Sequence, residues 1–429
     1  MKTLHLLNAW HPTSGGISTF YKELLKAANR QEQPLCLVVP AAEDGVEEVG
    51  NWGRIYHLKS PHAPLNSAYR MIFPNRFLTP NCAIVRILND ERPDLVEVCD
   101  KYTLHYLAGL LRRGWLPWVK FRPTIVGISH ERMDENMAVY VANNRLARKL
   151  AGIYMRHLYF PLFDHHLVNS RHTAEELIPA AAGHDIKRGV WVCPMGVDYA
   201  GLDPGLRSPE VRARLLEKTG APADSTLLLY TGRLVPEKNL GLLLDTMRLL
   251  GPGFHLLVAG TGMLEERLRA EAPSHVTFLG HVGDRAALAS LYANADIFVH
   301  PNPREPFGIA PLEAMASGLA LVAPNEGGVL SYANDRNAWL SPATPQEFAA
   351  TIRQVRSDDA ARAARAVEGR RTAAEFRWEN ITARFLALYE ELHQFHHGAR
   401  RDISHPPYLL STKTRHGRDV SRFPWQIPA

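Results

Sequence analysis

Across 429 residues the chain is 46% hydrophobic, 22% charged and 9% aromatic, a balance that excludes a mostly disordered, collagen-like or coiled-coil protein. Its length allows two or three domains at roughly 150 residues each. The net charge of +5 arises in the N-terminal half and the last 32 residues; an acidic substrate or anionic lipid would answer it, and no nucleic-acid-binding signature accompanies it.

The opening MKTLHLLNAWHP has one lysine and no small-residue cleavage site, so it reads as a first strand rather than a signal peptide. LHLLN, the loop HPTSGG and the amphipathic stretch ISTFYKELLKAA then lead into LCLVVP, a βαβ beginning. DLVEV follows the breaker Pro93, a helix is expected from Leu104 to Leu111, and TIVGIS and HHLVNS are strands, with Ser170 placed to cap the next helix. Cys36, Cys82, Cys99 and Cys193 form no CxxC pair and read as reduced core residues. No apolar run approaches the roughly 18 residues of a spanning helix, which points to a cytoplasmic protein, at most peripheral on the inner face of the membrane.

WVCPMGVD ends the first series of strands, and a polar segment runs on to about Ser225. A second series follows: TLLLYTG, a helix from Asn239, FHLLVAG, a helix from Met263, VTFLG, a helix from Arg285, ADIFVHP, a helix from about Gly308, and LALVAP. The chain is therefore expected to be α/β, with two Rossmann-like domains whose parallel sheets face an interdomain cleft. The expected divisions are 1–198, 199–375, a C-terminal helix over 376–397 that packs back on the first domain, and a disordered basic tail over 398–429.

The chemistry concentrates after ADIFVHP, in Glu305-Pro-Phe-Gly-Ile-Ala-Pro-Leu-Glu313. Glu305 precedes a helix start and Glu313 lies in its first turns, while Phe307 and Gly308 offer backbone N–H groups at the helix N-terminus, where the dipole favours an anion such as phosphate. Gly232-Arg233-Leu-Val-Pro-Glu-Lys238 follows the first strand of the second half. An Arg fork and a Lys point charge on one loop can together hold an anion. Punctuation by Pro306 and Gly308 and two ordinary surface cations are the bland alternatives.

These residues resemble the retaining nucleotide-sugar glycosyltransferases of the GT-B fold, family 4, whose paired glutamates have seven residues between them, as here. The resemblance implies that a nucleotide diphosphate sugar, UDP- or GDP-linked, is the donor. Arg233 and Lys238 would bind its diphosphate, Glu313 the ribose hydroxyls and Glu305 the transferred hexose, with retention by same-face attack. Gly15-Gly16, between the first strand and helix, would close on the donor phosphates; read alone, the pair is equally a tight turn. His130, at the end of TIVGIS, would lie beside the donor sugar or orient the acceptor; a core or capping role is the alternative. With no Asp-x-Asp anywhere, charge neutralisation falls to Arg233, Lys238 and helix amides, and neither metal nor cofactor is expected.

The acceptor, a sugar or a lipid-linked saccharide of the cell envelope, is expected on the N-terminal half. There HAPLNSAYRMIFPNRF, residues 62–77, reads either as a packed loop with surface arginines or as an aromatic and basic contact with an anionic bilayer. A nucleotide-sugar epimerase of the same fold and a nonenzymatic nucleotide-sugar-binding protein are the competing functions.

Overall fold

The strand Thr3–Leu7 is buried at every position because helices cover both faces of the sheet it belongs to. The computed structural model describes residues 1–10, 15–64, 66–140, 144–181 and 189–398, with backbone only at 66–68, 136, 138–140 and 144. The expected disordered tail therefore falls outside the described residues, as do positions 11–14 of the glycine loop. The chain divides into two compact units, residues 1–194 with the chain from Ile381 onward, and residues 195–380.

The first unit holds an eight-stranded sheet in the order Val190–Val192, His165–Val168, Thr124–Ser129, Leu95–Cys99, Thr3–Leu7, Leu35–Ala41, Gly53–Lys59, Gly45–Val49. Every pair is parallel except the last, which is antiparallel. Ser170 accepts from the amide of Thr173 at 3.0 Å, the cap expected for the helix Arg171–Ala181. Within residues 62–77, Phe77 is fully buried, Arg70 donates to Ser60 O at 2.6 Å, and Arg76 pairs with Asp44 at 2.9 Å. The stretch holds the short antiparallel pair His62–Ala63 with Asn66–Arg70 and the 3-10 turn Pro74–Arg76, and His62, Pro64 and Asn75 are exposed.

Thr3–Leu7 and Leu95–Cys99 align His5 with Glu97. The buried Glu97 carboxylate faces His5 Nδ1 at 2.9 Å and accepts from Tyr21 Oη at 2.7 Å and from the hydroxyl of Tyr389, on the helix Trp378–His396. Burial pushes this carboxyl up, but His5 and the hydroxyl bonds outweigh it and hold Glu97 below the usual carboxylate range. Phe385, one turn before Tyr389, packs on Phe20 at 4.7 Å between ring centroids. Tyr389→Phe removes one charge-assisted bond and is expected to cost about 1.5–3 kcal/mol in urea denaturation; a loss below about 0.5 kcal/mol would show that the helix is held by its apolar face alone.

The second unit holds a six-stranded, wholly parallel sheet in the order Val276–Gly280, Phe254–Ala259, Thr226–Thr231, Ile297–Val299, Ala320–Pro324, Trp339–Ser341. Counted in chain order this is 3-2-1-4-5-6, the doubly wound arrangement. Asp284 caps the helix Arg285–Asn294 through the amides of Ala286 and Ala287, and Thr344 caps Pro345–Ser357. Among the described residues no helix is long and apolar enough to cross a membrane.

Candidate active site

In the second sheet the chain leaves Thr226–Thr231 toward one edge and Ile297–Val299 toward the other, so the two loops at their carboxyl ends diverge and open a crevice. The first loop begins at Gly232, where φ is 152° and a Cβ would meet Tyr230 Oη at 2.8 Å. It is laid against the neighbouring loop main chain to main chain: Leu234 N bonds Thr261 O at 2.9 Å, and a Cβ on Gly260 would fall 1.8 Å from Gly232 O. The 3-10 turn Pro236–Lys238 ends on Asn239, whose side chain donates to Pro301 O at 3.1 Å and so fastens the first loop to the second.

That second loop carries Glu305. Its Oε2 accepts from Lys238 Nζ at 2.7 Å and from Asn302 Nδ2 at 3.2 Å, and His300 Nε2 lies 3.8 Å away. Burial would raise the Glu305 carboxyl, but the Lys238 ammonium, His300 and the bonds from Lys238 and Asn302 outweigh it and hold the group at about 2. The loop is clamped from behind by Gly327-Gly328. Gly328 N bonds Glu305 O at 2.6 Å, and a Cβ on Gly328 would lie 1.9 Å from Pro306 O.

Gly308 occupies the left-handed region at φ 87° and precedes the helix Ile309–Ala316. Pro311 sits at the third helical position, where an N–H would have no intrahelical acceptor in any case. Glu313, on the next turn and partly exposed, accepts from Tyr292 Oη at 2.8 Å, and that hydroxyl also lies 2.6 Å from Thr231 Oγ1. Burial raises the Glu313 carboxyl, and the Tyr292 bond and the Arg285 charge do not fully offset it. The two acids thus differ in character: Glu305 is an ion-paired carboxylate, whereas Glu313 is hydrogen-bonded by a neutral hydroxyl.

Lys238, Glu305, Gly308 and Glu313 are therefore brought to one strand-to-helix edge. Arg233 stands on the same loop as Lys238 with its side chain 54% exposed, beside Glu237 at 3.6 Å, a surface pair of little energetic weight. Phe307 does more than offer an amide: its ring is buried against Tyr332 and Phe376 and anchors the loop. Among the described residues no cluster of His, Cys, Asp and Glu is positioned to hold a metal ion.

His130, Gly15 and Gly16 belong to the first unit. His130 is buried, neither ring nitrogen has a hydrogen-bond partner among the described residues, and burial pushes its imidazole down to about 4. Its ring meets Phe20 edge-on at 5.5 Å, on the helix Gly16–Arg30 that begins just after Gly15. Gly15 has φ −55° and a Cβ there would meet nothing within 4 Å among the described residues.

Asn239 and Tyr292 escaped the sequence reading because each acts through a partner distant in the chain, whereas Asn302 and His300 stand within five residues of Glu305 and carry no motif that marks them. The glycines of AGTG and EGG carried a signal that went unused: a glycine pair directly after a predicted strand marks a loop packed main chain to main chain.

The chain matches the family described as Glycosyl transferases group 1 over residues 211–372 and Glycosyltransferase Family 4 over residues 14–200. It is 28% identical over 391 residues to a GDP-mannose-dependent alpha-(1-6)-phosphatidylinositol dimannoside mannosyltransferase of Mycobacterium tuberculosis, covering 90% of this chain and 95% of that one. Sucrose-phosphate synthase from Thermosynechococcus elongatus superposes with a TM-score of 0.71 at 20% identity, covering 91% of this chain and 99% of that one. Anabaena HepE in complex with UDP-glucose superposes at 0.63 and 17% identity, covering 90% and 100%. Both structural likenesses speak to the fold, which is GT-B.

Proposed function

Since the chain belongs to the glycosyl transferases group 1, we propose that it transfers a hexose, mannose from GDP-mannose in the first instance, to a hydroxyl of a sugar or lipid-linked saccharide, with anomeric retention and without a metal ion. The observation that carries this reading is the Lys238–Glu305 ion pair at the crevice between the diverging loops, with the exposed Arg233 guanidinium on the same loop. A diphosphate leaving group gains charge as the glycosidic bond breaks, and preorganised cations stabilise it more in the transition state than in the ground state.

In this reading Arg233 and Lys238 hold the diphosphate together with the amides of Phe307 and Gly308 at the helix N-terminus. Glu305, kept ionised by Lys238, accepts hydrogen bonds from hydroxyls of the transferred sugar, and Glu313 accepts those of the ribose. Gly15 and Gly16 add backbone amides to the donor phosphates, and the neutral His130 orients a hydroxyl. The leaving phosphate takes the acceptor proton in a same-face attack. The 28% identity to the phosphatidylinositol dimannoside mannosyltransferase supports GDP-mannose as donor and a lipid-linked acceptor.

GDP-mannose at about 100 times its Kd is expected to raise Tm by about 5 °C or more, with UDP-glucose as comparison. Incubation with GDP-mannose and a mannosylated phosphatidylinositol is expected to give an α-linked product in EDTA-treated buffer. A β-linked product would overturn retention. An epimerised nucleotide sugar formed without acceptor, or binding without transfer to any acceptor, would overturn the transferase reading.

A further inference from the structure

The helix Asn144–Tyr154 and the π-helical turn Met155–Tyr159 that continues it present two unlike sides. Ala147, Ala151 and Met155, four apart, are buried and hold the helix to its unit. Leu146, Leu150 and Ile153, spaced by four and three residues, are 51%, 49% and 49% exposed, and Leu158 on the π-helical turn is 52% exposed. Four large aliphatic side chains thus line one outward stripe. Arg145, Arg148 and Lys149 are exposed along the same helix. Between Glu135 and Asp164 the sequence holds no Asp or Glu at all.

We propose that this helix is an interfacial membrane anchor, which docks the protein on an anionic bilayer with Leu146, Leu150, Ile153 and Leu158 in the headgroup–acyl boundary and Arg145, Arg148 and Lys149 against lipid phosphates. An exposed apolar stripe needs a cover that is itself apolar, and the flanking positive charge needs one that is anionic; an anionic lipid surface supplies both in one layer. A second copy of the chain laying the same face against this one would oppose cation to cation. The segment from residue 398 onward, with Arg400, Arg401, Lys413, Arg415, Arg418 and Arg422 against Asp402 and Asp419, is of the same sign and would be repelled. The proposal deepens the lipid-acceptor reading, yet it stands on this surface alone. It also places the bilayer contact elsewhere than residues 62–77, where Phe77 is buried and Arg70 and Arg76 are engaged within the unit.

Flotation of the full chain with phosphatidylcholine vesicles, with and without about 30% phosphatidylglycerol, tests it. Binding is expected only to the anionic vesicles, and to fade between about 0.05 and 0.5 M salt. Arg148→Glu with Lys149→Glu is expected to weaken it at least about 25-fold, at roughly fivefold per charge. Leu150→Gln with Ile153→Gln is expected to weaken it about tenfold or more, because two aliphatic insertions are lost. All four positions are exposed, so both variants should keep the wild-type circular dichroism and donor-induced melting shift. Equal flotation of wild type and both variants, or no flotation of the wild type, would overturn the anchor. A wild-type dimer that Leu150→Gln with Ile153→Gln dissociates would also overturn it, assigning the stripe to a second copy. Failure of transfer with intact flotation would sink the transferase reading alone, and the reverse result would sink only the anchor.

Discussion

Glu305→Ala is expected to lower kcat/KM for sugar transfer by about three orders of magnitude, and Lys238→Ala by a similar factor, since each removes a group proposed to act on the charge and hydroxyls of the reacting sugar diphosphate. Stability separates their roles from structural damage. Lys238→Ala leaves the Glu305 carboxylate buried at 8% exposure with, among the described residues, Asn302 alone bonded to it and His300 nearby, which is expected to cost about 3 kcal/mol. Glu305→Gln in the Lys238→Ala background removes that stranded charge, so stability should largely return while activity does not. Arg233→Ala touches an exposed side chain and should change stability by less than about 0.5 kcal/mol while lowering kcat/KM about a hundredfold. A Glu305→Ala protein that melts as the wild type does and transfers sugar at more than about a tenth of its rate would remove Glu305 from the reaction.

Acidification is expected to unfold the protein between about pH 6 and 4, well above the range in which its ion-paired carboxylates protonate. Burial pushes the imidazoles of His105, His130, His165 and His300 down to about 4. A folded pKa below the unfolded one means that the unfolded chain binds the proton first. The stability that these neutral rings contribute is therefore complete above about 6.5 and is lost as the pH falls toward 4. Each ring removes up to about 1.4 kcal/mol per pH unit in that window, so four acting together can exhaust a stability of about 5–15 kcal/mol near pH 5. Glu305 and Glu91, both held at about 2, remain charged throughout. Three of the four histidines lie in the first unit, which should open before the second. Far-ultraviolet circular dichroism against pH measures the transition. His165→Leu, replacing a ring with no hydrogen bond to either nitrogen, should move the midpoint to lower pH. A wild-type midpoint below pH 4 would contradict this account.

How far the sequence could be read follows from how local each cause is. Parallel strands buried on both faces must be continuous apolar runs, so Thr3–Leu7, Leu95–Cys99, Thr226–Thr231 and Phe254–Ala259 announced themselves. The edge pair Gly45–Val49 and Gly53–Lys59 did not, because GVEEV is exposed at nearly every position and carries no such run. Helix starts were also legible: Ser170 and Asp284 cap through their own side chains within three residues, and the Gly308 signal needs only its own backbone.

By itself, then, the sequence determined the alternation of strand and helix, the caps, the loops on which Arg233, Lys238 and Glu305 stand and the helix that carries Glu313, because period, capping and glycine conformation act over a few residues. Only the tertiary structure decided what those side chains do to one another. Lys238 meets Glu305 across 67 residues, Tyr292 meets Glu313 across 21, and His5 meets Glu97 across 92. It also decided that Ala147, Ala151 and Met155 face inward while Leu146, Leu150 and Ile153 face out. That choice cannot be read from a helix apolar on two sides, since only the neighbouring elements settle which side loses its water.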